Sequence, residues 1–331
     1  MIISRTPVRL SFFGGGTDYR EYFVRNKGAV FGSTINKYIY VSVNELSDFF
    51  QYKIRVGYSK AELVEHVDDI VHPSVRECLK FKNITRNLDI HIFADLPART
   101  GLGSSSSFTV GLLNALYAME GKLVPKQKLA EDAIFVEQQM IKENVGCQDQ
   151  MHCACGGMNI IEFDSARISA RPVIISIEKL QAFNSSLMVF YTGQTRFATR
   201  ILSEQIQNTK NGDKDAYLAR MYAMVFEAER IISDEPTELM LRKLGELLHE
   251  GWQLKKSLSS KITNPLIDAT YENAMKAGAY GGKLAGAGGG GFLFFIVPSE
   301  RQPAVRAALR GMLEVDFRFE NEGSKIIYIL N

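Results

Sequence analysis

Pro97-Ala98-Arg99-Thr100-Gly101-Leu102-Gly103-Ser104-Ser105-Ser106-Ser107 is the stretch on which the reading of this chain turns. A strand-like run, Leu88–Ala94, precedes it, and a helix-like run from Phe108 to Tyr117 follows. Glycines let a backbone approach an anion closely, and the free N–H groups at a helix start face that anion with the positive end of the dipole. Serine hydroxyls add bonds to phosphate oxygens or a ligand for magnesium. No lysine follows Gly103, so the Walker pattern is absent. Locally, a second reading stands beside phosphate binding: Ser104 or Ser105 could simply cap the helix.

The surrounding chain narrows the class. Its 331 residues are enough for two domains with their own cores, and 46% apolar with 23% charged residues is an ordinary globular balance. A net charge of +2 without a Lys/Arg run argues against a nucleic-acid partner, and no apolar stretch is long enough to span a bilayer. The start, Met1-Ile2-Ile3-Ser4-Arg5, runs into a strand pattern without a secretory signal, so a cytoplasmic protein is expected. Three of the four cysteines, Cys147, Cys153 and Cys155, cluster around His152. Their spacing is not that of a zinc pair, so buried thiols are expected instead.

Strand signals fall at Val8–Phe13, Ala29–Ile35, Tyr38–Asn44, Tyr52–Tyr58 and Leu88–Ala94. Helices are expected at Ser105–Met119 and Lys126–Glu143, then strands at Met158–Phe163 and Val173–Ile177 across a polar connection, Asp164–Pro172. The domain boundary is placed just beyond, giving domains 1–178 and 179–331. The second half is helix-rich to Ala277, with Asn264-Pro265 as a cap and first-turn proline. An apolar strand (Phe292–Val297), a helix (Glu300–Leu313) and two short strands (Phe317–Phe319, Lys325–Leu330) complete an α+β ending.

Two further glycine motifs frame the first. In Arg5-Thr6-Pro7-Val8-Arg9-Leu10-Ser11-Phe12-Phe13-Gly14-Gly15-Gly16-Thr17-Asp18-Tyr19 a strand runs into three glycines and an aspartate. Asp18 is either an acceptor for sugar hydroxyls or a helix cap, and Arg9 either a site cation or a solvated strand charge. Lys283-Leu284-Ala285-Gly286-Ala287-Gly288-Gly289-Gly290-Gly291 sits between apolar segments and reads as a second close approach of backbone to ligand. Gly14-Gly15-Gly16 is not the G-x-G-x-x-G of a dehydrogenase.

In this order and spacing the three motifs resemble the GHMP kinases. The resemblance spans almost the whole chain and rests most heavily on P-x-x-x-G-L-G-S-S-S. It implies an N-terminal domain like domain 2 of ribosomal protein S5, a ferredoxin-like C-terminal domain, a cleft between them, ATP and Mg2+. Carried over by position, Arg99, Gly101, Leu102, Gly103, Ser104, Ser105 and Ser106 surround the ATP phosphates. Ser104 or Ser105 binds magnesium with Glu137. Asp149, in Gly146-Cys147-Gln148-Asp149-Gln150, resembles the proposed base of the sugar-kinase branch, with Arg9 as the cation beside it.

Galactokinases usually carry Gly-Glu-His where this chain has Gly14-Gly15-Gly16, which counts against galactose. Phe12-Phe13-Gly14-Gly15-Gly16-Thr17-Asp18-Tyr19, Tyr191–Arg196 and Trp252–Ser259 resemble the D-glycero-D-manno-heptose 7-phosphate kinases, which act in nucleotide-heptose synthesis. That implies a sugar-phosphate acceptor met by Gly15, Gly16, Thr17, Asp18, Gly288 and Gly289. It also implies a second anion site, for which Arg196, Lys256 and Lys283 are candidates, Arg196 preferred; Lys255 and Lys256 otherwise read as a solvated helix face. A fucokinase-like anomeric kinase and a non-catalytic sugar- and ATP-binding sensor are the alternatives. The joint presence of Asp149, Glu137 and the serine loop disfavours the sensor. A homodimer is the assembly to test for.

Overall fold

The computed structural model describes residues 1–330 apart from Thr85, Arg99, residues 194–203, Gln205, Asn208, Lys210, Asp213 and Ser260. The first half runs β1 (Ile2–Phe13), a short α1 (Arg20–Phe23), β2 (Gly28–Glu45), β3 (Ile54–Gly57), β4 (Ala61–Val64), α2 (Pro73–Phe81) and β5 (Leu88–Ala94). α3 (Ser104–Met119), α4 (Lys126–Phe135), α5 (Gln148–Cys155) and the β6–β7 hairpin (Met158–Phe163, Ile168–Pro172) complete it. The second half holds α6 (Ile177–Ser186), β8 (Leu187–Tyr191), α7 (Asp215–Asp234), α8 (Thr237–Lys256) and α9 (Pro265–Lys276). β9 (Gly281–Leu284), β10 (Phe292–Ile296), α10 (Gln302–Ala308), β11 (Leu313–Glu314), β12 (Phe319–Glu320) and β13 (Lys325–Ile329) follow.

One sheet has the order β13-β1-β2-β5-β3-β4, with β6, β7 and β12 joined through β2. The second is antiparallel, β11-β8-β10-β9. The two strands expected at Ala29–Ile35 and Tyr38–Asn44 are one long β2. A register shift opposite Pro7/Val8 leaves Asn36 and Lys37 without partners in β1, which is why the sequence pattern breaks there. The strand expected at Val173–Ile177 lies instead at Ile168–Pro172. Asp164 accepts bonds from the amides of Ala166 and Arg167 at 2.7 and 2.8 Å, so the chain reverses early and the polar connection becomes a strand.

The chain end departs from the simple two-part division. β12 pairs with β2 and β13 with β1, so the last strands lie in the first sheet although they follow residue 179. The layers are joined by aromatic packing around Phe12, whose ring lies 5.1 Å from Phe183, 5.5 Å from Phe31 and 5.9 Å from Phe294. α3 is buried on nearly every side, from Ser106 through Leu113 and again at Ala115 and Leu116, as its continuous apolar sequence requires. Its close approach to β1 depends on Gly111: a Cβ there would meet Thr6 Oγ1 at 2.7 Å. Asn264 caps α9 through a 3.0 Å bond from the Ile267 amide, with Pro265 in the first turn.

Candidate active site

β1 delivers Arg9 to the start of α5. Arg9 is 4% exposed and grips Asp149 as a fork, Nε to Oδ1 and Nη2 to Oδ2, both at 2.8 Å. Its third donor, Nη1, reaches the Gly101 carbonyl at 2.7 Å, and its own amide donates to Leu102 at 3.0 Å. Burial alone would lower the Arg9 pKa, but Asp149 more than offsets this and holds it above the ordinary value. Arg9 is therefore a buried cation rather than a solvated strand charge.

The glycine-rich loop closes against this pair. Gly103 adopts φ +76°, and a Cβ on it would lie 3.2 Å from Asp149 Oδ2 and 3.3 Å from Arg9 Cγ. Gly103 is also the N-cap of α3, with no side-chain capping bond, so neither Ser104 nor Ser105 serves as the cap. Ser105 is exposed and Ser104 half-buried. Uncapped amides at a helix start beside an Arg–Asp pair are suited to an anion.

Asp18 is 1% exposed in the turn after β1. Its carboxylate accepts from the amides of Gly16 at 2.9 Å and Gln148 at 3.4 Å. Tyr19 is the N-cap of α1 and no side chain caps the helix, so Asp18 is not a helix cap. Burial raises its pKa, partly countered by the Gly16 amide, while the Asp149 charge adds to the rise. Tyr19, 9% exposed, packs with Ile206 and Ala287, bringing the third glycine motif over the first. Thr17 has a different task. Its hydroxyl lies 2.8 Å from the carbonyls of both Gly14 and Ala29, which share its one hydrogen, and it accepts from the Ala29 amide at 3.0 Å, which closes the turn.

Glu137 lies on a single π-turn after α4 (Val136–Met140) and is fully buried. Oε2 accepts from Ser106 Oγ at 2.8 Å and from Gln150, while Oε1 has no partner among the described residues. Burial pushes its pKa up to about 7, against the lowering effect of Thr109, Ser106 and Gln150. A raised carboxyl pKa means that the folded state holds its proton longer than the unfolded one, so stability falls as pH rises from about 4.5 through 7. In EDTA this slope should amount to roughly 2–3 kcal/mol and vanish in Glu137→Gln, as read from urea unfolding between pH 5 and 8.

The third glycine motif packs backbone to backbone against the first loop. A Cβ on Gly286 would meet Gly101 Cα at 2.4 Å, and one on Gly291 would meet the Thr100 carbonyl at 2.2 Å. Gly288 and Gly289 face elsewhere: Gly288 abuts Ile262, and the Gly289 amide donates to the Ile262 carbonyl at 2.7 Å. Lys283 is also not a surface phosphate clamp, because it is 5% exposed and its Nζ donates to the Phe12 carbonyl at 2.9 Å. Arg99 and Arg196 lie outside the described residues.

Lys255, read from sequence as solvated, is buried with its ammonium on the carbonyls of Leu284 and Gly286. The signal was present: Leu244, Leu248, Trp252 and Lys255 share one helical face, and all are buried. Gln150 as a partner of Glu137 had no such signal. His152 is fully buried with neither ring nitrogen partnered among the described residues, and burial lowers its pKa to about 3, so it stays neutral. The cysteines are free thiols, and no group of three or more His, Cys, Asp or Glu forms a metal site among the described residues. No helix among them is long and apolar enough to cross a membrane.

Comparison with known proteins identifies the family. Residues 66–157 match the GHMP kinases N terminal domain and residues 238–315 the GHMP kinases C terminal domain, together just over half of the chain. The chain belongs to the GHMP kinases. It has their two-domain α+β fold and is an ATP-dependent phosphotransferase. It is 29% identical to a D-glycero-alpha-D-manno-heptose 7-phosphate kinase from Campylobacter jejuni, over 98% of both chains. An L-fucokinase/L-fucose-1-P guanylyltransferase from Bacteroides fragilis is 24% identical over 92% of this chain, which spans only 35% of that longer enzyme. A crystal structure of a D-glycero-D-manno-heptose 1-phosphate kinase from Bacteroides thetaiotaomicron shares the fold, with TM-score 0.79, full coverage of both chains and 21% identity.

Proposed function

We propose that this GHMP kinase transfers the γ-phosphoryl group of ATP to the anomeric hydroxyl of D-glycero-D-manno-heptose 7-phosphate, giving the 1,7-bisphosphate. The observation that carries the reading is the Arg9–Asp149 fork set directly against the Gly101–Ser106 loop and beside the buried Asp18. The similarity over 98% of both chains to the Campylobacter jejuni heptose kinase supports this choice of acceptor.

In this mechanism residues 1–178 supply the ATP-binding domain, and residues 179–331 the C-terminal domain, whose last strands are lent to the first sheet. Gly101–Ser106 and the open start of α3 take the phosphates. Gly15, Gly16 and Asp18 receive the sugar, and Asp18 can accept hydrogen bonds from its hydroxyls. Asp149 orients the acceptor hydroxyl and takes its proton, while Arg9 holds that carboxylate in place and offsets charge on the transferring group.

Magnesium fits the donors on hand. Glu137 offers a buried oxygen without a partner among the described residues, next to the serine row, and Mg2+ commonly takes one or two carboxylates together with substrate phosphates. Glu137 with Ser104 or Ser105 would hold it, and when bound it would neutralise phosphate charge.

The test is ADP release from Mg-ATP against heptose 7-phosphate, mannose 6-phosphate, fucose, galactose, mevalonate and a blank. Turnover with the heptose phosphate alone is expected. Turnover with a bare sugar would transfer the assignment to the fucokinase-like branch.

A further inference from the structure

Two buried lysines of the C-terminal half connect to the glycine motifs, Lys283 directly to the first and Lys255 through the third. Lys283, on β9, donates to the Phe12 carbonyl, one residue before the Phe13–Gly16 bend. Lys255, in the last turn of α8, donates to the Leu284 carbonyl at 3.2 Å and to the Gly286 carbonyl. Gly286 is in turn pressed against Gly101, whose carbonyl accepts from Arg9. An unbroken chain of contacts thus runs from Lys255 through Gly286 and Gly101 to Arg9 and Asp149. Neither lysine forms an ion pair among the described residues, although both are over nine-tenths buried. Burying an ammonium without a carboxylate is costly, and folding alone gives no reason for it.

We propose that Lys255 is a positioning residue for nucleotide: it ties the third glycine loop onto the phosphate loop and sets a buried positive charge against the loop that receives the triphosphate. The inference rests on reading Gly101–Ser106 as that loop. The charged groups facing Lys255 are Arg9 of β1, Asp18 of the following turn and Lys283 of β9. Burial first, then Arg9, lowers its pKa to about 7, while Asp18 opposes the shift. The free enzyme therefore loses this charge as pH rises through 7, and an arriving polyanion restores it. ATP binding at pH 8 should take up a proton at Lys255.

Calorimetry of Mg-AMPPNP binding at pH 8, in buffers of different ionisation enthalpy, measures that uptake. Wild type is expected to take up between about half and one proton, and Lys255→Met to lose the uptake and bind roughly tenfold more weakly. Lys255→Arg, always charged, should retain affinity without the uptake, and it carries the test if the Met variant melts early. Uptake unchanged in both variants would overturn the proposal, as would Lys255→Met binding as tightly as wild type. Gly103→Ala separates the underlying reading: if nucleotide affinity survives it, the loop assignment fails whatever Lys255 does.

Discussion

Asp149→Asn is expected to lower kcat by a factor of about 10² to 10⁴, the range for loss of a positioned proton acceptor, with little change in KM for ATP. The geometry explains why the fold should survive. One asparagine oxygen can still accept one arm of the Arg9 fork, and the Asp149 side chain is 24% exposed, so the cost is about 1–2 kcal/mol rather than that of a sealed ion pair. Arg9→Met is the harsher change. It removes both bonds to Asp149 and the bond to Gly101 together, so it should weaken ATP binding as well as turnover. Single-turnover kinetics with a melting control separates these outcomes. A loss under tenfold in Asp149→Asn would reassign Asp149 from proton acceptor to anchor for Arg9.

The motifs were legible because close backbone approach leaves a mark in composition. Gly101, Gly103 and Gly286 all have positive φ and would clash or crowd if given a side chain, so the glycines visible in the chain are the ones the loops need. Arg9 and Asp149 are 140 positions apart, and only the family resemblance brought them together before the structure did. Lys255 was misread because a lysine at a helix end is normally solvated, whereas here the carbonyls that receive it come from a different strand and loop. The return of β13 to β1 was illegible for a related reason. Strand pairing between chain termini depends on topology, and Lys325–Ile329, a short apolar run without alternation, fits an edge of either sheet.

Gly14 and Gly15 are neighbours of identical composition, yet opposite results are expected when each becomes alanine. Gly14 holds φ +81°, and a Cβ there would lie 1.9 Å from the Ala29 carbonyl oxygen and 2.7 Å from Val225 Cγ2. Backbone strain of about 1–2 kcal/mol and overpacking of about 1–3 kcal/mol should add, so Gly14→Ala is expected to destabilise the protein by roughly 2–5 kcal/mol. Gly15 lacks a positive φ. A Cβ there would meet only Gln148 Nε2 at 3.7 Å and Ser11 Oγ at 3.8 Å, both ordinary contacts. The fold therefore has no need of a glycine at 15, although this is the one half-exposed residue of a turn otherwise buried from Gly14 to Asp18. If the acceptor lies against this backbone, Gly15→Ala should leave the unfolding midpoint and KM for ATP unchanged and raise KM for the sugar about tenfold or more. Chemical denaturation and steady-state kinetics on the two variants test both halves. Equal acceptor KM in Gly15→Ala and wild type would remove the first glycine motif from the substrate site and leave Asp18 as a buried structural carboxylate.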